Sequence, residues 1–507
     1  MLIELYIEQY KNMATAMKLM MMQDINRVFV SAYRPILMTA YISDGDVAHL
    51  RGELYIDSGY QNGIKDQWVS TGVMMNAYTK TLDGTAQPGM FEFNVMEYCR
   101  HYTGQANSPM WSWATYVSMG RLETNRFQLR IWPVRYSATA QGQTYDALED
   151  IISSTAFIAT PANTDINIST SSWSTFGHLD RYTLGANLIA GSTPETTLPL
   201  TRMPNPFNND YRHGQHISMF DQQGDSLYTY FNKTTSSPKL YVLIIRYNDG
   251  INATGADFID VTPKVEEKFR LPVHPKSLDM FLAFSSGAPY NKIVNASGEL
   301  ICKRVAICMM AGSGFFSINN FWSTSHYENT SYVLAHWQNI HYDNSTKNFL
   351  DHNDFNKVHD INQGKCERTK FIFQNRLGGF DWFSSYGTHK QGVTLSGTKY
   401  ERGNNGSFHN GYHTRTWLNT EREDNYTVVT QPVDKKTALW LSELATSARV
   451  WVQMPYEHVE NHDPMGANQL FPILINPNTF ELYSSDESTY FVQFEYTLSS
   501  QKTQPRG

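Results

Sequence analysis

The sequence is short of charged residues and contains no long apolar run, and each shortage excludes a class of protein. Charged residues make up 18% of the 507 residues, the formal net charge is −7, and Lys and Arg do not cluster. Because a nucleic-acid groove needs clustered cations, we expect no nucleic-acid partner. No apolar run reaches the length of a membrane span, so we also predict that the chain does not cross a membrane.

Cysteine is also scarce, and its spacing does not suggest a disulfide framework or a metal site. The four cysteines are Cys99, Cys302, Cys308 and Cys366. Cys302 and Cys308 are six residues apart, which on a strand is too far for a disulfide. No CxxC pair or Cys/His zinc spacing occurs. We therefore predict free, mostly buried thiols, no metal site and no cofactor.

The residues that are abundant favour a mostly β protein. Aromatic residues make up 13% of the chain, including 30 Tyr, and Thr is common. These residues suit half-buried strands, and a disordered chain would lack the aromatics. The length allows about three domains with separate cores. We predict multi-domain antiparallel β-sandwiches with one N-terminal helix and one helix in the C-terminal domain.

The N-terminal segment, residues 1–24, differs from the rest. Its apolar residues, including Met13, Met17, Met20 and Met21, recur at roughly helical spacing. This pattern predicts a short amphipathic helix. A methionine-rich face adapts to irregular surfaces, so the helix is expected to pack on the body of the protein or on a neighbouring subunit.

From residue 25 onward, runs of apolar and alternating residues are separated by turn clusters, which predicts strands. Residues 25–137 are interpreted as a β-sandwich domain, and residues 138–216 as a Ser/Thr/Asn-rich insertion or extended loops. A second β domain is placed at 217–330, where the doubly apolar run Leu240–Ile245 predicts a central strand. A C-terminal β domain is placed at 331–507, with a helix at 435–446.

The stretch Phe371–Tyr386, with the sequence FIFQNRLGGFDWFSSY, predicts an aromatic hairpin. Phe371, Ile372 and Phe373 form a strand-like run, and two glycines follow that tolerate the positive φ of a tight turn. A sharper hypothesis is that Arg376 and Asp381 of this turn lock one particular domain type.

The order of elements in the last 150 residues resembles the C-terminal module of structural proteins from tailed bacteriophages, especially those of marine and gut bacteria. The hairpin sequence NRLGGFDWF is followed by a long polar hairpin, the helix LWLSELATSA, the run Leu470–Ile475 and the closing strand Tyr490–Thr497. Such proteins also begin with a strand run like Arg27–Ile42 and a phrase like Phe91–Val95. The N-terminal helix and the Ser/Thr-rich insertion depart from the pattern.

This resemblance implies a structural component of the virion, a neck or tail ring or adaptor protein that acts through protein–protein contacts. The implied partners are other virion structural proteins and further copies of the chain, and the implied location is the tail or neck of the particle. The resemblance brings no catalytic residues. We expect no enzymatic activity and no small-molecule ligand.

Two alternatives remain open from the residues alone. Aromatic loops, Trp111–Trp113 or Phe321–Trp322, could stack on sugars in a receptor-binding tail protein that recognises host surface glycans. A carbohydrate-active enzyme would need two carboxylates in an aromatic cleft, for which Asp381 with Glu457 or Glu460 are candidates.

The polar loop Asp351–Asp360 contains metal-capable side chains, but it lacks the glycine and glutamate of a calcium-binding EF-hand loop.

Overall fold

A computed structural model describes the chain over a set of segments that carry its regular structure. The described residues are 19–23, 29–33, 35–42, 47–59, 66–82, 85–103, 124–139, 142–162, 183–184, 195–196, 200–201, 215–216, 226–231, 239–247, 253–261, 268–272, 282–283, 286, 304–312, 335–337, 341–343, 348–350, 369–385, 387–401, 415–433, 435–455, 468–481 and 490–499. The chain divides into two compact units, whereas the sequence predicted five segments. Unit 1 comprises Met1–Leu200 and Gln222–Leu334, and unit 2 comprises Thr201–Asp221 and Ala335–Gly507.

The predicted fold class, mostly β with antiparallel sheets, is confirmed. The strands of unit 1 are β1 (Leu19–Gln23), β2 (Phe29–Ser31), β3 (Leu37–Ile42), β4 (Val47–Asp57), β5 (Trp68–Asn76), β6 (Tyr78–Leu82), β7 (Thr85–Asn94), β8 (Asn125–Tyr136), β9 (Thr144–Asp146), β10 (Ile152–Ser153), β11 (Phe157–Thr160), β12 (Thr183–Leu184), β13 (Glu195–Thr196), β15 (Ser226–Phe231), β16 (Lys239–Tyr247), β17 (Ala253–Asp260), β18 (Lys268–Pro272) and β19 (Arg304–Gly312). A short helix, α1 (Met96–Tyr102), which the sequence did not predict, follows β7.

Two sheets of unit 1 pack face to face. Sheet A has the order β1-β3-β7-β6, and sheet B has the order β2-β11-β8-β4-β5, with β9 and β10 added on β8. Alternate residues of both sheets point into one core, which includes Met38 and Phe93 from sheet A and Leu54 and Leu129 from sheet B. Gly52 of β4 leaves room for the Phe93 ring, because a Cβ at this position would lie 2.8 Å from it. This arrangement is the predicted β-sandwich.

Two further groups of strands belong to unit 1. One has the order β12-β15-β18. In the other, β16 lies between β17 and β19, and β13 pairs with β19. The run Leu240–Ile245 lies within β16, so the predicted central strand is confirmed. Both neighbours of β16 are antiparallel to it.

The N-terminal helix prediction is wrong for the part of residues 1–24 that the structure describes. Leu19–Gln23 form strand β1, which pairs antiparallel with β3 from Leu19 opposite Ile42 to Gln23 opposite Met38. A short apolar run does not distinguish a helix from a strand by its spacing. Pairing with β3 supplies partners for the backbone hydrogen bonds of β1, which a short helix at a chain end would have to supply alone. Residues 1–18 and 24 lie outside the described residues.

Strands also occur within the segment predicted as an insertion or extended loops. Strands β9, β10 and β11 fall in the segment 138–216 that was interpreted as extended loops, and all three pair with β8. Phe157, Ile158 and Ala159 of β11 are buried. These strands are two to four residues long, which is too short for alternation to stand out among the surrounding Ser and Thr.

In the described residues of unit 2, the main elements are a seven-stranded sheet and a helix. Its strands are β14 (Gln215–His216), β20 (Ala335–Trp337), β21 (His341–Asp343), β22 (Asn348–Leu350), β23 (Thr369–Gln374), β24 (Phe380–Ser385), β25 (Thr388–Glu401), β26 (Arg415–Val429), β27 (Val450–Pro455), β28 (Asn468–Glu481) and β29 (Gln493–Leu498). Sheet C has the order β24-β23-β27-β28-β29-β26-β25. Helix α2 (Lys435–Thr446) begins and ends where the sequence predicted.

Helix α2 packs its apolar stripe on one face of sheet C. Ala438, Trp440, Leu441 and Leu444 share a core with alternate residues of the sheet. Among these, Phe371 contacts both Phe494 and Tyr496 with edge-to-face rings, at centroid distances of 5.1 and 5.7 Å. The opposite face at this end of the sheet is buried as well, as shown by Ile372, Trp382 and Trp451. The hairpin predicted from Phe371–Tyr386 is therefore a double-sided core element.

Candidate assembly surface

The turn of the β23–β24 hairpin is organised by one asparagine side chain. Asn375 Oδ1 accepts hydrogen bonds from the backbone N–H groups of Leu377 and Gly379, both at 3.0 Å. The backbone of Gly378 has φ +82°, a value that glycine adopts without steric cost. Asn375 Nδ2 also donates to Asp381 Oδ1 at 2.9 Å, which ties the turn to the following strand.

Asp381 then ties the hairpin to helix α2. Its second oxygen, Oδ2, accepts a hydrogen bond from Trp440 Nε1 at 2.8 Å. One helical turn further along, Glu443 Oε2 accepts a hydrogen bond from the backbone N–H of Arg376 at 3.1 Å. Two buried carboxyl groups, one from the strand and one from the helix, thus hold α2 on the hairpin. Asp381 thus holds the turn through its side chain, and Arg376 contributes through its backbone N–H.

Burial changes the acidity of Asp381. The side chain has no exposed surface, and loss of hydration together with the nearby Glu443 carboxylate raises the pKa of Asp381 to about 7. Hydrogen bonds from the side chains of Thr201, Trp440 and Asn375 oppose this shift. Because Asp381 is fully buried, a polysaccharide cannot reach its oxygens, and this residue does not suit the glycosidase alternative. Glu457 and Glu460 lie outside the described residues.

Near the opposite edge of sheet C, formed by β25, three aromatic rings stack on one another. Tyr426 and Tyr496 are cross-strand neighbours with ring centroids 4.9 Å apart. His389 of the edge strand stacks on Tyr426 at 5.5 Å, and its Nε2 lies 2.8 Å from the Tyr496 hydroxyl. Burial raises the pKa of Tyr496 well above its usual value. This stack anchors β25 and β26 to the body of unit 2.

Beyond this stack, β25 and β26 continue as a two-stranded ribbon. Strand β29 pairs with β26 over Asn425–Val429 only. Residues 393–401 of β25 and 415–424 of β26, here called the ribbon, have only each other as paired neighbours among the described strands. At about 3.3 Å per residue the ribbon is roughly 30 Å long. It corresponds to the long polar hairpin noted in the sequence.

The ribbon exposes two large apolar side chains in a mostly polar strand. Val393 is 51% exposed and Tyr400 is 48% exposed. The described neighbours at 394 and 396–399 are exposed too. An isolated two-stranded hairpin is only marginally stable in water, so a ribbon of this length would gain stability from contact with another surface. The two edges of sheet C thus differ, because the residues of β24 with a described environment are buried.

The outer face of sheet B offers a second polar surface, in unit 1. The Arg130 guanidinium lies 3.9 Å from the centroid of the Tyr55 ring. The Tyr55 hydroxyl donates to Glu53 Oε2 at 2.9 Å, and the Ser70 hydroxyl donates to Glu53 Oε1. These four side chains come from three neighbouring strands and satisfy one another.

A neighbouring cluster on this face also combines an arginine over an aromatic ring with carboxylates. The Arg126 guanidinium lies 5.1 Å from the Trp68 ring centroid and pairs with Asp57 at 3.0 Å and Asp66 at 2.7 Å. Sugars bind by stacking on an open aromatic face. Since an arginine already covers one face of each ring, this surface is less suited to glycan stacking than open rings would be.

Open aromatic rings do occur near the β8–β9 hairpin. Tyr136 and Tyr145 are about half exposed, as are Leu148 and Ile151 in the segment that follows. Tyr145 lies opposite Arg135, and Tyr136 lies opposite Thr144. Aromatic rings next to polar groups fit either a subunit contact or a sugar.

Several residues singled out from the sequence lie outside the described residues. These are Trp111–Trp113, Phe321–Trp322 and the polar loop Asp351–Asp360. Within the described part of the chain, no group of three or more His, Cys, Asp or Glu side chains is placed to hold a metal ion. No helix in the same segments has the length and apolar character to cross a membrane. Cys99 is a free thiol buried in the sandwich core, as predicted, and burial raises the pKa of this thiol.

The sequence did not reveal the roles of Trp440 and Glu443. Trp440 was assigned to the apolar stripe of the helix, where its ring does lie, but its indole N–H bonds to Asp381. Glu443 is a glutamate on the buried side of the helix, between Leu441 and Leu444. A carboxylate at such a position requires a buried donor, and that requirement is the signal that could have found it.

Neither a scan against protein-family models nor a search of the curated proteins finds a match to this chain.

Proposed function

We propose that this chain is a structural component of a tailed bacteriophage virion, a neck or tail ring or adaptor protein. It acts through contacts with further copies of itself and with other virion proteins. The observation that carries the proposal is the ribbon, a two-stranded arm that leaves its sheet and exposes Val393 and Tyr400. The attribution to a virion rests on the resemblance of the C-terminal element order to phage structural proteins.

The arrangement of the polar groups supports a role without chemistry. The carboxyl of Asp381 is engaged by Asn375 and Trp440, and Glu443 is engaged by the turn backbone. These groups hold elements together and are closed to solvent. An arm on a rigid sheet is well suited to an interface, because apolar contact area on a preorganised element costs little conformational entropy on binding.

The first test is the oligomeric state of the full chain by mass photometry and negative-stain imaging. We expect a closed ring, in which one patch of each copy meets a different patch of the next. The double substitution Val393→Ser with Tyr400→Ser should weaken the ring by at least tenfold in dissociation constant, with unchanged amide protection of sheet C. The matched control is Val69→Ser with Tyr145→Ser, because these side chains in unit 1 are also 51% and 48% exposed.

Each outcome of this test decides a part of the proposal. A ring that dissociates in the control and persists in the ribbon variant would place the contact in unit 1 and contradict the role of the ribbon. A chain that is monomeric and absent from purified particles of its phage, as judged by peptide mass spectrometry, would contradict the virion role.

The alternative is a receptor-binding tail protein that recognises host surface glycans. The open rings of Tyr136 and Tyr145 favour it. Binding on a glycan array that is lost in Tyr145→Ala would support this alternative, whereas a structural ring protein should bind no glycan.

A further inference from the structure

The contact between helix α2 and the β23–β24 hairpin is made by two carboxyl groups that are both nearly inaccessible to water. Asp381 is 0% and Glu443 is 4% exposed. They bond to opposite elements, since the strand carboxyl accepts from the helix and the helix carboxyl accepts from the turn. Two buried carboxylates that interact resist simultaneous ionisation, so the charge of Glu443 makes Asp381 harder to ionise.

The surroundings of the pair come from three elements besides the strand itself. Helix α2 contributes Glu443, and its basic residues, Lys435 and Lys436, lie two turns away in its first turn. The turn contributes Arg376, whose backbone N–H donates to Glu443. The segment at Thr201 contributes a hydroxyl that donates to Asp381. The strand partner directly opposite Asp381 is Phe373, which is apolar and whose ring lies tilted against that of Trp440, with the ring centroids 5.6 Å apart.

We propose that Asp381 and Glu443 make the docking of helix α2 on the hairpin sensitive to pH, closed while the pair retains one proton and loosened when both groups are ionised. Ionisation places two like charges in one site that is closed to water, and opening the helix relieves this by letting water reach both groups. The proposal concerns unit 2 alone and does not depend on the role in a virion.

The direction of the effect follows from the acidity of Asp381. Its pKa is raised from 3.8 to about 7, mainly by burial and next by Glu443. A raised carboxyl pKa means that the closed form holds the proton more tightly than the open form does. The closed form is therefore favoured most at acid pH, and this advantage is lost as the pH rises from about 4 to about 7. Above about pH 7 Asp381 is ionised in both the closed and the open form, so the closed form loses no further stability.

The magnitude of the effect is set by one proton. If opening exposes Asp381 fully, the opening constant of α2 should increase about tenfold per pH unit across this range and then level off. The measurement is amide hydrogen exchange of residues 435–446 in the full chain from pH 5 to pH 8.5, corrected for the intrinsic exchange rate. Exchange of β8 in unit 1 reports whether the change is local.

Two variants and one control test the assignment. Asp381→Asn should abolish the pH dependence. It also weakens the site at every pH, because an NH2 group then replaces one of the two oxygens that accept from Asn375 Nδ2 and Trp440 Nε1. Glu443→Gln retains an acceptor for Arg376 and removes the charge, so its rise in opening should end at a lower pH than in the native chain. Glu495→Gln changes a half-buried carboxylate on β29 of the same sheet and should retain the native profile.

The following results would overturn the proposal. One is protection of α2 that stays constant from pH 5 to pH 8 in the native chain. Another is a native pH profile that persists in both Asp381→Asn and Glu443→Gln. A loss of protection that appears equally in β8 would mean that the whole chain responds and that the pair is not a local device.

Discussion

The two units place their polar networks on opposite sides of their sheets. In unit 1, the outer face of sheet B carries arginines that lie over aromatic rings or pair with carboxylates, and the pair Arg51 with Asp146, at 2.8 Å, lies near solvent. In unit 2, the network formed by Asn375, Asp381 and Trp440 lies beneath the helix and is closed to water. The network of unit 1 lies on the outside of a sandwich whose core is apolar, whereas the network of unit 2 is part of the core.

This difference separates two uses of the same chemistry. A solvated ion pair gains little free energy, because water screens the attraction and holding two long side chains costs entropy. A buried carboxyl that loses its donors, or donors that lose their carboxyl, are left without water to replace the missing partner. The exposed pairs of sheet B, such as Arg51 with Asp146, should therefore tolerate substitution, and the buried polar groups of the hairpin should not. Three substitutions examine this contrast in order of expected effect.

The largest effect is expected for Asp381→Ala. It removes the carboxyl that accepts hydrogen bonds from two buried donors, Trp440 Nε1 and Asn375 Nδ2, at a cost of roughly 3–5 kcal/mol in the free energy of unfolding of unit 2. Denaturant-dependent amide exchange of β23 and β24 measures this for unit 2 separately, which a global unfolding curve of a chain with two units would not. An effect below about 1 kcal/mol would contradict the contrast between the units.

An intermediate effect is expected for Gly52→Val in the apolar core of unit 1. A Cβ at residue 52 would lie 2.8 Å from the Phe93 ring, so the two sheets must move apart or Phe93 must rotate. Overpacking of this kind costs about 1–3 kcal/mol. The control is Gly392→Val in β25, where the nearest atom to a new Cβ is 3.7 Å away. Equal destabilisation by both substitutions would show that strand propensity, and not packing, sets the cost.

The smallest effect is expected for Arg51→Ala on the outer face of sheet B. Arg51 and Asp146 are each about one-third exposed, and Trp132 Nε1 still donates to Asp146 when the arginine is removed. We expect a loss of about 0–1 kcal/mol in the free energy of unfolding of unit 1, and a still smaller one in 1 M salt. Amide exchange of β4 and β8 at low and high salt gives this value. A loss above about 2 kcal/mol, or one independent of salt, would show that this network is structural.

Most of the regular structure was predictable because its apolar residues recur with the period of a helix or of a strand over several turns or residue pairs. Helix α2 has a complete apolar stripe between polar residues, and both of its ends agree with the prediction. The hairpin strands β23 and β24 are dense in aromatic residues on either side of a Gly-Gly turn. Local sequence determines such elements almost completely.

The features that sequence did not yield depend on distant partners. Strand β1 is a strand because β3 lies beside it, and its own residues fit a helix equally well. The Asp381–Trp440 bond joins residues 59 positions apart, and no local pattern indicates that this carboxyl would meet an indole. The polar alternation of β25 and β26 indicated a hairpin, but how far it leaves the sheet depends on where β29 stops pairing.

The way in which β26 enters sheet C gives the ribbon a mechanical property. A pull on the tip along the strand direction is carried down β26 into the body of unit 2. Five residue pairs join β26 to β29, from Asn425 opposite Thr497 to Val429 opposite Gln493, and they lie side by side across the line of pull. Such a load shears the backbone bonds of these pairs together, whereas a sideways pull would open them one after another. The ribbon should thus resist tension along its length far better than bending across it.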